Sequence, residues 1–275
     1  MTGLYWIASY PKSGNTWMRM LLASLRAGGA RMDFAASRAF APLPGHAAEV
    51  ESHLDVAASD LTQRELAELQ PDLVALMARD AGAPLFRKTH ECWGRTPAGR
   101  LLFPPAATLG SLYLVRDPRD VAASWAHHRA RGIDETIDFM ARPRALRADP
   151  GAGVVMDQHI SSWSGHVASW RGADPVPLVI RYEDLLAEPE RWLGRAAAHL
   201  GIAASAAARA AAVAATRFAV LQAAEEAQGF EMGQAAGRRF FRRGEAGGWR
   251  DTLTAAQSDR IAEDHGEIMR ALGYL

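Results

Sequence analysis

At 275 residues, with 49% hydrophobic and 23% charged content, the chain has enough apolar mass for one large core or two small ones. Its 31 basic residues are balanced by 31 acidic ones, which argues against a nucleic-acid partner, although arginines cluster at Arg238, Arg239, Arg242 and Arg243. The single cysteine, Cys92, excludes an internal disulfide and fits a reducing compartment. Tyr10, Pro11 and Lys12 interrupt the first apolar stretch too early for a signal peptide. No window reaches the roughly 18 apolar residues of a spanning helix. A cytoplasmic protein without a membrane partner is expected.

Residues 4–9 (LYWIAS) read as a short buried strand, followed by a turn over Tyr10–Asn15 and a helix from about Thr16 to Arg26. The Ala/Pro/Gly-rich stretch 28–60 is weakly periodic and predicts an irregular excursion. Residues 62–80 are helical on both sides of Pro71, with Thr62 and Glu65 as a capping box. Strands are predicted at 85–90 and 111–117, then a helix opening at Asp117–Pro118 and running to about Arg131. A strand at 177–184 precedes a helix to about Leu200, and an Ala-rich helical stretch covers 204–215. After the Gly/Arg segment 229–250, a last helix spans about Thr254–Leu272, with Gly273 as its stop. Continuous apolar strands alternating with helices, and no linker, predict one α/β domain over 1–275. Its core would be a central parallel β-sheet flanked by helices on both faces.

The strand-to-helix handover YPKSGNTW (10–17) has the composition of a phosphate-binding loop. A helix N-terminus presents unpaired N–H groups and the positive end of the dipole to an anion. Gly14 allows close backbone approach, Ser13, Asn15 and Thr16 add short donors, and Lys12 adds mobile charge. The lysine precedes the glycine, so this is not the GxxxxGK[ST] order that holds Mg-ATP.

Only two of the 31 basic residues are lysines, Lys12 and Lys88, and both lie in chemically dense strings, YPKSGNTW and FRKTHECW. Lysine offers a compact point charge on a flexible stem where arginine offers a planar fork. A cation that must follow charge developing on a phosphate or sulfate oxygen calls for the former. A third string, LVRDPRDVAASWAHH (114–128), places Arg116 at a strand's C-terminal end, where open α/β sheets bind ligands. Arg116 beside a helix hydroxyl such as Ser124 would suit a terminal phosphate, although Arg-Asp at a strand end is often a structural ion pair.

Taken in order, YPKSGNTW, KTH (88–90), RDPRDVAAS (116–124), RYEDL (181–185) and FFRRGEAGGW (240–249) resemble the PAPS-dependent sulfotransferases. The resemblance covers nearly the whole chain outside about 28–80 and 132–170. It implies a P-loop-type α/β fold and 3′-phosphoadenosine 5′-phosphosulfate (PAPS) as sulfuryl donor. Residue by residue, it implies that Lys12, Ser13, Gly14, Asn15, Thr16 and Trp17 grip the 5′-phosphosulfate. Arg116, Ser124, Arg242, Arg243 and Gly244 would hold the 3′-phosphate, and Tyr182, Thr216 and Phe218 would face the adenine. His90 matches the family's catalytic histidine, and Lys88 the lysine beside it. Two departures stand out. The late motif reads Gly247-Gly248-Trp249 where the family has Asp or Asn in the middle. The dimerisation string is only loosely echoed by Arg250, Thr254, Ala255 and Asp259, which leaves monomer and homodimer open.

These residues support sulfuryl transfer to a hydroxyl or amine of a small-molecule acceptor, with His90 as general base and Lys12 and Lys88 as charge stabilisers, no metal being required. The acceptor pocket is expected from the motif-poor excursions 28–80 and 132–170. The other histidines, including the adjacent His127 and His128, are expected to be structural or superficial, and their spacing predicts no metal cluster. A Cys92–His90 nucleophilic pair is weighed and set aside: both would share a strand face with no third group to orient them. Trp163, Trp170, Phe139 and Met140 are assigned mainly to the core. Two other classes compete, a nucleotide kinase or other P-loop NTPase, with Asp117 or Asp184 as its acid, and a non-catalytic nucleotide-binding module.

Overall fold

The computed structural model describes residues 2–31, 33–230, 235 and 237–275. Four parallel strands form the sheet: β1 (Leu4–Ser9), β2 (Leu85–Thr89), β3 (Thr108–Val115) and, later in the chain, β6 (Leu178–Arg181), in the order β2-β1-β3-β6. The side-chain period of two divides their residues between two cores. Trp6, Ala8, Tyr113 and Val115 point into one; Ile7, Leu112, Leu114 and Ile180 point into the other.

The helix after β1 is α1 (Asn15–Arg26). The stretch 28–60, expected to be irregular, carries two short helices, α2 (Phe34–Phe40) and α3 (Ala47–Leu54). Asp33 caps α2 by accepting from Ala36 N at 2.6 Å, a local signal overlooked in the Ala-rich background. α4 (Gln63–Asp80) runs through Pro71 as one helix, and the predicted capping box of Thr62 and Glu65 is present. α5 (Pro118–Arg129) follows β3. The next segment holds α6 (Ile133–Met140), a two-residue pair of strands, β4 (Ala145–Leu146) and β5 (Gln158–His159), and α7 (Trp163–Arg171).

The strand expected at 177–184 ends at Arg181, because Tyr182 opens α8 (Tyr182–Ala187). Pro189 then starts α9 (Pro189–His199), so the single predicted helix is two. α10 (Ala206–Ala215), α11 (Phe218–Gln228) and α12 (Ala255–Ala271) complete the chain. Helices α1, α9 and α10 supply the core on one face of the sheet; α4, α5, α7 and α12 supply the other. Among the described residues no helix is long and apolar enough to cross a membrane.

The chain moves from β1 to β2 on one side, then crosses to β3 on the other. That reversal opens the crevice where doubly wound sheets take ligands. Each of the other strands ends one residue before a candidate: Thr89 before His90, Val115 before Arg116, Arg181 before Tyr182.

The two excursions expected to build an acceptor pocket are stitched together. Val155 N donates to Gly45 O at 2.9 Å and Ala47 N to Gly153 O at 2.9 Å. Gln63 adds a bond from Nε2 to Val155 O at 2.7 Å.

Candidate active site

The loop after β1 turns sharply enough that Lys12 and Gly14 both have positive φ, 66° and 97°. Gly14 is required twice over: a Cβ there would lie 2.7 Å from the Tyr182 ring. Asn15, expected to be an anion donor, instead spends its amide on Ile7 O at 2.8 Å and Ser9 Oγ at 3.3 Å, tying the loop back to β1. Ser13 is fully buried and its hydroxyl has no partner, whereas Thr16 is buried at the helix start.

The register Ala8↔Thr89 brings His90 beside Ser9. His90 Nδ1 lies 2.8 Å from Ser9 O, and a carbonyl oxygen only accepts, so the proton is on Nδ1 and the Nε2 lone pair is free. The His90 backbone is held as firmly. Its N–H donates to Gln158 Oε1 at 3.0 Å and its carbonyl accepts from His166 Nε2 at 3.0 Å. His166 in turn sits 2.8 Å from the Tyr113 hydroxyl. Burial first, and Lys88 second, hold the His90 imidazolium well below its ordinary range. It is therefore a neutral imidazole at neutral pH.

Lys88 lies two residues earlier, within β2. Burial, then Arg19 and Lys12, push it down to about 7. Lys12 reaches a similar point, about 7, through burial, then Arg116 and Arg242, with Glu225 opposing. Two ammonium groups so depressed are poised to gain from a nearby anion.

Around the loop, Arg116 stacks over Tyr182 at 4.3 Å and donates to Glu245 O at 2.8 Å, while its buried Nε has no partner. Its neighbour Asp117 is engaged by Arg119 at 2.7 Å, and the structural ion pair of Arg116 is a loose one with Asp120 at 3.8 Å. Trp17 meets Tyr182 edge-on at 6.0 Å and donates to Thr216 O at 3.1 Å, which gathers Trp17, Tyr182 and Thr216 into one apolar wall. Phe218 packs so closely on Gly244 (φ 64°) that a Cβ there would come within 2.1 Å of its ring. Arg242 is near enough to depress Lys12. Arg243 is turned to its own loop, 3.2 Å from Glu245 and 3.8 Å from Asp251. Ser124 lies one helical turn before His128 on α5, the face that meets the loop.

Three findings were not anticipated from sequence. His128, assigned a structural or surface place, lies with Nδ1 3.3 Å from Lys12 Nζ. Asp120 accepts from Gly247 N at 2.7 Å and Trp249 N at 2.9 Å, fixing the late loop through backbone groups. β2 ends at Thr89, so His90 and Cys92 do not share a strand face as expected. Cys92 is buried, with its thiol pushed up to about 12 mainly by burial, and is inert as set out above. Trp163, Trp170 and Met140 are core residues, and Phe139 packs against them.

The sulfotransferase domain model matches residues 4–273, and the chain belongs to that family. It is a sulfotransferase, which disposes of the kinase and the non-catalytic readings. No curated protein matches it. Among solved structures, it is similar to retinol dehydratase in complex with androsterone and the inactive cofactor PAP: 18% identity, TM-score 0.62, covering 97% of this chain and 80% of that one. A retinol and PAP complex of retinol dehydratase gives 20%, 0.61, 97% and 81%. A mouse sulfotransferase complexed with PAP gives 20%, 0.62, 98% and 85%. The parallel sheet with helices on both faces is the fold of these neighbours.

Proposed function

We propose that the protein transfers the sulfuryl group of PAPS to a hydroxyl or amine of a small-molecule acceptor, with His90 as general base. The observation that carries this is the tautomer of His90: Nδ1 is committed to Ser9 O, so the lone pair that can take a proton is on Nε2. The donor assignment rests on an anion cradle whose buried Ser13 hydroxyl and Arg116 Nε lack protein partners. Gly14 and Gly244 also leave no room for a Cβ. The neighbours' bound PAP, which is 3′,5′-ADP, supports the same donor.

In this mechanism Nε2 of His90 takes the acceptor's proton as its oxygen or nitrogen bonds to sulfur. The bond from sulfur to the bridging oxygen breaks, and that oxygen leaves with the electron pair as part of 3′,5′-ADP. Lys12 offsets charge on the leaving oxygen and Lys88 steadies the sulfuryl oxygens, so positioning and electrostatics supply most of the acceleration. Arg116, Ser124 and Arg242 hold the 3′-phosphate, with Arg243 and Gly244 shaping the loop above it. Trp17, Tyr182, Thr216 and Phe218 line the adenine side. The stitched segments 28–80 and 132–170 form the acceptor side. The retinol and androsterone bound by the neighbours support an acceptor of comparable size.

The test is a single-turnover assay with labelled PAPS and a panel of phenols, alcohols and amines. Transfer of label to at least one acceptor, abolished in His90→Ala while 3′,5′-ADP still binds, is expected. No binding of 3′,5′-ADP would remove the donor assignment.

A further inference from the structure

We propose that His128 is a positioning residue for Lys12, an uncharged hydrogen-bond partner that aims the ammonium without cancelling its charge. The inference rests on the role given above to Lys12. Three separate elements converge on that side chain. The phosphate loop supplies Lys12, α5 supplies His128 with Nδ1 3.3 Å from Nζ, and the late loop supplies Phe240, whose ring centroid is 4.2 Å from Nζ. The His128 ring also meets Phe240 edge-on at 6.0 Å. A flexible four-carbon stem is thereby fixed at its tip.

The chemistry of the partner matters. A carboxylate in this place would raise the Lys12 pKa and spend its charge before any substrate arrived. Imidazole avoids this only if it stays neutral. Burial first, then Lys12 and Arg129, push His128 down to about 3, so across the neutral range it presents a lone pair rather than a second cation. Lys12 donates to that lone pair whether it is NH3⁺ or NH2. Among the described residues the groups facing Lys12 are Arg116 after β3, Arg242 on the late loop, Lys88 on β2, His127 and His128 on α5 and Glu225 on α11. Among the described residues only Glu225 of these is acidic, and its two oxygens accept from Phe240 N at 2.6 Å and Phe241 N at 2.9 Å, which holds the aromatic platform in place.

Replacing His128 with Phe would keep a ring against Phe240 and delete the lone pair; replacing it with Gln would restore an acceptor. His128→Phe is expected to lower the single-turnover rate tenfold or more, with less than a threefold change in the affinity for 3′,5′-ADP. A hydrogen bond to the ammonium favours its charged form, so losing it should also move the alkaline limb of the rate to lower pH. His128→Gln should recover most of the rate and return the limb towards its original position. A purely structural role would alter melting temperature without moving that limb.

An unchanged rate and limb in His128→Phe, or a His128→Gln protein as defective as His128→Phe, overturns the proposal. If His128→Phe does not fold, the comparison of His128→Gln with wild type still decides: loss of rate beyond tenfold in Gln overturns it. Failure of the wild-type protein to bind 3′,5′-ADP would instead strike the donor assignment itself.

Discussion

Removing the imidazole in His90→Ala separates catalysis from folding by magnitude. The ring meets only Ser9, Nδ1 lying 2.8 Å from its carbonyl oxygen and 3.3 Å from its hydroxyl, and such a shared bond contributes about 0.5–1.5 kcal/mol net. Ser9 Oγ keeps its bond from Asn15, so the loop stays tied to β1. Stability should therefore fall by only about 1–2 kcal/mol. Loss of a general base costs roughly 10²–10⁴ in the chemical step, or about 3–5 kcal/mol at 1.36 kcal/mol per decade. The assay is single-turnover transfer alongside calorimetric binding of 3′,5′-ADP, which should be nearly unchanged because His90 follows β2 and is not part of the phosphate loop. Because the neutral form of His90 already prevails at neutral pH, no rise of rate centred on the ordinary histidine value of roughly 6.5 is expected. His90→Asn restores a donor towards Ser9 O but no base, so it should be as slow as Ala. An active His90→Asn, or a binding loss as large as the rate loss, would refute the assignment of Nε2.

Binding of 3′,5′-ADP should exceed that of 5′-AMP by at least tenfold, and Arg116→Ala should erase most of the difference; equal calorimetric affinities would dismiss a 3′-phosphate site. Lys12→Arg should lose rate far more than nucleotide affinity, since a planar fork cannot follow the leaving oxygen as a point charge does, and near-full activity would contradict this. Glu91, buried and pushed up to about 7 mainly by burial, accepts from Gln70 at 2.8 Å and from His159 N at 3.3 Å. Its folded-state pKa lies above its unfolded value, so the native state binds the extra proton and stability falls as pH rises from the ordinary carboxyl range towards about 7. The difference between wild type and Glu91→Gln in unfolding free energy, from urea titration, should change by up to about 3 kcal/mol across that window and be flat above it.

The elements that sequence exposed best were those whose signals are local. The strand at 4–9, the capping box at Thr62, the Asp117–Pro118 start of α5 and the last helix stand at or within a residue or two of where periodicity and caps put them. The turn between the first strand and the first helix is likewise where the string YPKSGNTW put it. What stayed hidden was long-range. Asn15 reads as a donor in its string, yet its amide turns inward to Ile7 O, because a turn leaving a central strand needs a side-chain tie. His128 gave no signal since its partner Lys12 lies 116 residues away and the aromatic platform comes from a third segment. Asp120 gave no signal either, since its two acceptor oxygens serve backbone groups 127 and 129 residues on.

The acids near this site share a habit. Asp120 holds Gly247 N and Trp249 N, Glu225 holds Phe240 N and Phe241 N, and Glu183 accepts from Asp117 N at 3.0 Å. Their charge is spent on ordering loops, and Arg116 lies no closer than 3.8 Å to Asp120. Arg243 is paired with Glu245 and Asp251 and Arg116 only loosely with Asp120, while among the described residues Lys12, Lys88 and Arg242 make no ion pair and can receive an anion. Asp120→Asn tests this arrangement because two effects oppose each other in sign. If the carboxylate mainly weakened the field of Arg116 and Arg242, neutralising it would tighten 3′,5′-ADP binding. If it mainly orders the late loop, an amide keeps one acceptor oxygen and turns an NH2 towards the second N–H, losing a charge-assisted bond of about 1.5–3 kcal/mol. The loop then has to be ordered by the nucleotide itself, and that cost is drawn from affinity. We expect affinity to fall about tenfold and unfolding to be eased by at least about 1 kcal/mol. Tighter binding in Asp120→Asn, measured by calorimetry at fixed ionic strength, would show that the acids oppose the site rather than build it.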